Sequence, residues 1–98
     1  MSNNSLQPEE QEVQKIKMYP IYSKKIEKIG WYYCQKTFQG VCVAEFPNTS
    51  RYMYFPVAKQ VFSDIFASSS KGQYFTQNIE RAPNVTCVKI GQPKMDLK

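Results

Sequence analysis

Histidine is absent from the sequence, and only three cysteines are present. Without histidine, Ser-His-Asp and Cys-His catalysis are excluded, and so are histidine metal sites and the commonest acid–base group. Cys34, Cys42 and Cys87 form no Cys-x-x-Cys motif, and three cysteines cannot complete a four-cysteine zinc site. We expect them to be reduced and mostly buried thiols, and we predict no catalytic residue, metal or cofactor.

Long hydrophobic runs are also absent. No segment approaches the roughly 18 apolar residues that a membrane-spanning helix needs. The first twelve residues are polar and acidic, with neither the basic start nor the apolar stretch of a signal peptide. These absences predict a cytoplasmic protein that makes no membrane contact.

What remains is the composition of one small folded domain. The chain has 98 residues, of which 42% are hydrophobic and 14% aromatic, which is too apolar for a disordered protein. Composition shifts divide it into a disordered tail over 1–11, a single domain over 12–92 and a loose tail over 93–98.

The charge balance is basic, with a net charge of +5 and a pI of about 9.2. Such a surface attracts polyanions through its field and through counterion release. A net charge of this size is equally typical of small domains in which the excess of basic residues only keeps the protein soluble.

Four segments have strand-like patterns. Val13–Tyr19 is partly alternating and predicts a short strand or arm, and the lysine-rich segment Tyr22–Trp31 predicts an edge strand. Gly40–Phe46 is apolar on both faces, which indicates a central strand. A turn at Pro47–Ser50 then leads into Arg51–Phe55 as the returning strand of an antiparallel hairpin.

Two helices and one strand are predicted after the hairpin. Pro56 suits the first position of a helix over about 56–67 with an apolar stripe. Ser70 and Gln73 have the spacing of a capping box, which predicts a second helix over about 71–80. The β-branched segment Val85–Ile90 predicts a last strand. This order is typical of an α+β fold, in which a small antiparallel sheet carries two short helices on one face.

The order of motifs resembles the KTSC domain family. Tyr52-Met53-Tyr54 leads into Pro56-Val57 and a helix, followed by Ser70-Lys71-Gly72-Gln73-Tyr74-Phe75 and Ile79. Ser23, Ile26 and Ile29-Gly30-Trp31 fit the same register upstream. The resemblance covers about residues 19–82. It implies a short binding module, known from the C-terminus of some lysyl-tRNA synthetases and as a stand-alone protein of bacteria and phages. Catalytic residues are not assigned in this family, and RNA binding has been suggested for it.

The tyrosine pair and the serine-rich corner are the first candidate sites. Tyr52 and Tyr54 share a strand face, where two rings could stack bases, although they could equally pack beneath the helices. The corner contains Ser69, Ser70, Lys71 and Gly72, which offer hydroxyls, amides and an ammonium group to a phosphate. An ordinary interhelical turn is the alternative.

Further candidates flank these two sites. On the second helix, Gln73, Tyr74, Asn78 and Arg81 are predicted ligand-binding residues, and Arg81 could fork onto a phosphate. Arg51 borders the tyrosine pair and is the other arginine. Ion pairs of the arginines with Glu45 or Glu80 are the alternative.

The sequence therefore favours a non-catalytic binding module for a phosphate-bearing ligand. RNA and a small cyclic or oligo-nucleotide signal both fit, and a nucleotide could be held between the subunits of a homo-oligomer. A stand-alone module could act as a phage sponge that sequesters such a signal in an anti-defence role. The alternative is a protein–protein adaptor without a nucleotide, which would use a strand edge or Trp31.

Overall fold

The computed structural model describes residues 16–90, which form a five-stranded antiparallel sheet. The strands lie in the order of the chain, and each pairs with its sequence neighbour. They are β1 (Tyr19–Pro20), β2 (Lys28–Cys34), β3 (Gln39–Glu45), β4 (Arg51–Phe55) and β5 (Thr86–Ile90). The tails predicted over 1–11 and 93–98 lie outside the described residues.

Strand β3 occupies the centre of the sheet, as its apolar pattern predicts. Val41 and Val43 face one side, Cys42 and Ala44 face the other, and all four are fully buried. The following turn is closed by Phe46 and Ser50, whose backbone N–H and C=O groups lie 2.9 Å apart. This turn pairs β3 with β4 and confirms the predicted hairpin.

The first helix, α1, covers Lys59–Asp64 and continues as a 3-10 turn over Ile65–Ala67. The prediction that Pro56 opens this helix is wrong by three residues. Val57 donates its N–H to the Gly40 carbonyl at 2.9 Å and accepts the Trp31 indole N–H at 2.7 Å. These two bonds keep the segment before Lys59 extended against the sheet, so the helix begins only after it.

The second helix, α2, covers Lys71–Phe75 and continues as a π-helical turn over Thr76–Glu80. This agrees with the range predicted from the sequence. Phe75 and Ile79, one turn apart, are fully buried against the sheet. The Phe75 ring packs edge-on against the Tyr54 ring, with centroids 5.3 Å apart.

Both helices lie on the same face of the sheet, which confirms the α+β prediction. The core on this face includes Ile29, Tyr54, Ile65 and Phe75. A second cluster covers the opposite face. It contains the buried Cys34, Val41, Val43, Met53, Phe55 and Ile90. No helix within residues 16–90 has the length and apolar content needed to cross a membrane.

Candidate functional site

A basic groove runs between the loop that joins β1 to β2 and the exposed side of α2, with a volume of about 610 Å³. The loop contributes Ser23, Lys24 and Lys25. The α2 side contributes Ser70, Gly72, Gln73, Thr76, Gln77 and Arg81. Three cationic side chains and no carboxylate line the groove, so its lining favours an anion.

The loop lies over α2 because local bonds and one buried side chain fold it back. The predicted edge strand over Tyr22–Trp31 is wrong over its first six residues, since β2 begins only at Lys28, and β2 is not an edge strand because β1 pairs with it. Ser23 Oγ accepts the Lys25 N–H at 3.0 Å, and Ile26 is fully buried. An added Cβ on Gly72 would lie 2.9 Å from Ser23 Oγ. Gly72 therefore lets the loop approach the helix.

The charges in the basic groove are only partly neutralised. Lys25 Nζ lies 2.8 Å from Glu80 Oε1 in an ion pair whose side chains are about one-third exposed. Among residues 16–90, no carboxylate forms an ion pair with Lys24 or Arg81. The predicted alternative of an Arg81–Glu80 pair is therefore wrong, because Glu80 pairs with the loop instead. Two cations remain available to a ligand.

The serine-rich corner is organised by Ser68 rather than by Ser70. Ser68 Oγ accepts the Ser70 N–H at 3.1 Å, and the Ser70 side chain makes no capping bond. The predicted Ser70–Gln73 capping box is therefore wrong. Lys71 Nζ donates to the Ser68 carbonyl oxygen at 2.9 Å, which directs the ammonium group to its own turn.

A second, smaller groove of about 310 Å³ lies beside the corner. It includes Ser69, Ser70, Gln73, Tyr74 and Asn78 from the predicted set. Here the Tyr74 hydroxyl donates to the Val61 carbonyl at 3.0 Å, and burial raises the pKa of Tyr74. Asn78 Nδ2 donates to the Tyr74 carbonyl at 3.0 Å. Several of these polar groups thus have internal partners.

The tyrosine pair does not form an open stacking platform. Tyr54 is 2% exposed beneath α2, and Tyr52 is half-buried against the Phe46 ring, with centroids 5.5 Å apart. Arg51 Nε lies 2.8 Å from Glu45 Oε1, so the predicted alternative of an ion pair for this arginine is confirmed.

An aromatic pocket of about 540 Å³ nevertheless opens at the edge of the tyrosine pair. Its lining comprises Phe46, Pro47, Asn48, Ser50, Tyr52, Tyr54, Glu80 and Cys87. Burial raises the pKa of Tyr54, and a side-chain hydrogen bond with Cys87 raises it further. Cys87 is an exposed residue, but partial burial of its thiol raises the pKa of that group. The hydrogen bond with Tyr54 lowers this pKa in part.

The predicted site residues are thus divided among several places. Ser70, Gly72, Gln73 and Arg81 line the basic groove, whereas Tyr52 and Tyr54 line the aromatic pocket. The sequence prediction missed the loop residues Ser23, Lys24 and Lys25. The lysine-rich pattern of this segment predicts the edge of a strand. The signal for a loop instead is Ser23, placed two residues before Lys25 to close a turn, followed by the apolar Ile26.

Comparison with known proteins gives one family and one fold. The sequence model described as "KTSC domain" matches residues 22–82. The crystal structure of a KTSC domain protein from Yersinia pestis is similar, with a TM-score of 0.62 and 22% sequence identity. The similarity covers 78% of this chain and 99% of that one. No curated protein matches the sequence.

Proposed function

The chain belongs to the KTSC domain family, and we propose that it is a non-catalytic binding module whose basic groove holds the phosphate of a nucleotide or of RNA. The observation that carries this proposal is the lining of the groove. Lys24, Lys25 and Arg81 converge there with serine and threonine hydroxyls, and no carboxylate lines it. Arginine provides a planar fork and lysine a mobile ammonium group, and both are suited to phosphate oxygens.

The test replaces the two cations that have no ion pair within residues 16–90. Binding of a short single-stranded RNA and of a cyclic dinucleotide panel is measured by calorimetry with the parent and with the Lys24→Gln/Arg81→Gln variant. A hydrogen bond to a charged group is worth about 1.5–3 kcal/mol, so each lost contact should weaken binding about 10-fold or more. The control is Lys36→Gln/Lys59→Gln, which changes the net charge equally outside the groove.

Salt dependence gives a second measurement. The logarithm of the affinity for single-stranded RNA should fall with the logarithm of the salt concentration, by about 0.7 for each phosphate contact. The groove variant should show a shallower slope than the control variant. No binding of RNA or of any cyclic dinucleotide at micromolar concentration, or identical losses in both variants, would contradict the proposal.

Sequestration of a signalling nucleotide by a homo-oligomer, as in a phage sponge, is one form of this function. Native mass spectrometry measures the number of chains and of bound nucleotides together. Sequestration predicts tight binding with unchanged ligand, whereas a nucleotide that is converted to a product would indicate an enzyme.

A protein–protein adaptor is the second candidate, and an exposed aromatic patch favours it. Phe38 is 80% exposed and Tyr33 is 51% exposed, and both line a groove together with Trp31, Pro56 and Val57. Exposed aromatic groups of this kind are enriched at protein interfaces. In a pull-down, an adaptor should retain its partner at high salt and lose it on Phe38→Ser, while the Lys24→Gln/Arg81→Gln variant should bind normally.

A further inference from the structure

The aromatic pocket has the features of a small-ligand site. Its volume of about 540 Å³ falls within the range of about 300–1,000 Å³ that such sites occupy. The Tyr52 ring is half-buried, and Lys89 Nζ lies 6.0 Å from its centroid. Phe46 packs edge-on against the same ring. A planar, weakly polar group would find aromatic surface here that water wets poorly.

The pocket and the basic groove lie on the two sides of a single ion pair. Glu80 lines the pocket, and its Oε1 lies 2.8 Å from Nζ of Lys25, which lines the groove. The next residue, Arg81, also lines the groove. A ligand with an anionic group at one end and a planar ring at the other could therefore occupy both sites at once.

The Glu80 carboxylate at the edge of the pocket favours one kind of nucleobase over the others. An ionised carboxylate only accepts hydrogen bonds, and it has about four acceptor positions on two oxygens. Lys25 occupies one acceptor position of Glu80 Oε1, so the other position of Oε1 and both positions of the second oxygen can accept two adjacent donors. Guanine presents two adjacent N–H donors on its pairing edge, adenine presents one amino group, and uracil presents one ring N–H. Guanine is thus the base that complements a carboxylate best.

We propose that the aromatic pocket is a base-binding site that selects guanine through Glu80, for a nucleotide whose phosphate lies in the basic groove. This inference rests on the proposed function and names its ligand class. Tyr52 and Phe46 supply the stacking and edge contacts, and Glu80 accepts the N–H groups of the base. The Lys25–Glu80 ion pair positions the carboxylate between the two sites.

The test compares GMP, AMP, UMP and inorganic pyrophosphate by calorimetry. One stacked base should make GMP bind about 10-fold or more tighter than pyrophosphate, and GMP should bind tighter than AMP and UMP. Tyr52→Leu should lower the affinity for GMP but not for pyrophosphate. Phe38→Leu removes an exposed aromatic ring outside the pocket and is the matched control. Glu80→Gln should reduce the preference for GMP over AMP.

The Cys87 thiol gives a readout that is independent of affinity. Cys87 lines the pocket and is exposed, whereas Cys34 and Cys42 are buried, so iodoacetamide should modify Cys87 first. Saturating GMP should slow this modification several-fold, and pyrophosphate should leave its rate unchanged.

The outcomes separate this inference from the proposed function. Pyrophosphate or RNA binding without any gain from a base, and with Cys87 unprotected, would overturn the base-binding pocket and leave the proposed function intact. Equal affinities for GMP, AMP and UMP would overturn the selection by Glu80. If pyrophosphate, the nucleotides and RNA all fail to bind, the proposed function fails and the inference fails with it.

Discussion

At Gly40, the backbone has no room for a side chain. An added Cβ would collide with the Val57 carbonyl oxygen and lie 2.6 Å from the Trp31 ring. This carbonyl cannot withdraw easily, because it accepts the Trp31 indole N–H at 2.7 Å. We expect Gly40→Ala to lower the free energy of unfolding by about 2 kcal/mol, as overpacking of a fixed contact commonly does. Urea denaturation followed by the fluorescence of the single tryptophan measures this.

Gly72→Ala is the matched control. The new Cβ would lie 2.9 Å from Ser23 Oγ and 3.5 Å from Lys25 Cβ. Rotation of the serine breaks one bond worth about 1 kcal/mol, but alanine is favoured over glycine in a helix by a similar amount. We expect stability within about 1 kcal/mol of the parent. Equal stability of both variants would contradict the contact between Gly40 and Val57.

Between the two helices, one side-chain bond links α2 to α1. The Tyr74 hydroxyl donates to the Val61 carbonyl at 3.0 Å. We expect Tyr74→Phe to destabilise the protein by about 0.5–1.5 kcal/mol, since the bond is lost while the ring and its packing remain. Urea denaturation measures the loss. Tyr33→Phe is the control, because Tyr33 is 51% exposed and should change stability little. Equal losses in the two variants would show that the link carries no specific stability.

The sequence predicts some helices and strands correctly and misplaces the start of one. The spacing of apolar and β-branched residues within each segment predicts strands β3, β4 and β5 and helix α2. The start of α1 does not follow from such spacing, because the backbone of Val57 is held by Gly40 and Trp31, which are remote in sequence. Secondary-structure patterns describe neighbours along the chain, and such long-range bonds override them.

Only one wall of the basic groove could be predicted from the sequence, because the other wall comes from residues that are remote along the chain. Ser70, Gly72, Gln73 and Arg81 lie within α2 or directly at its two ends, so their proximity could be predicted from spacing alone. The opposite wall of the groove comes from Lys24 and Lys25, which are remote in sequence and lie on a loop whose course depends on the burial of Ile26. The tyrosine pair was correctly placed on one face, and the predicted alternative that the rings pack beneath the helices is confirmed for Tyr54.

In the molecule as a whole, burial beneath the helices affects two weak acids in the sheet. Cys42 is fully buried, and burial raises the pKa of its thiol. Burial likewise raises the pKa of Tyr54, with smaller contributions from Cys87, Glu80 and Cys42. In the unfolded chain the cysteine has a pKa of about 8.5 and the tyrosine a pKa of about 10. The folded state therefore holds their protons more tightly than the unfolded state does.

This difference predicts a loss of stability at alkaline pH. The stabilisation is fully present below the unfolded pKa of about 8.5 and is lost as pH rises above it, because the unfolded chain then releases protons that the folded chain retains. Cys42 alone should lower the free energy of unfolding by about 2 kcal/mol between pH 7 and pH 10. Urea midpoints measured under reducing conditions at pH 7, 8.5 and 10 give this loss directly.

Cys42→Ala should flatten the profile below pH 10. Cys87→Ser should flatten it much less, since Cys87 is exposed. An unchanged slope in Cys42→Ala would mean that the buried thiol does not control the loss of stability at alkaline pH, and would contradict the prediction.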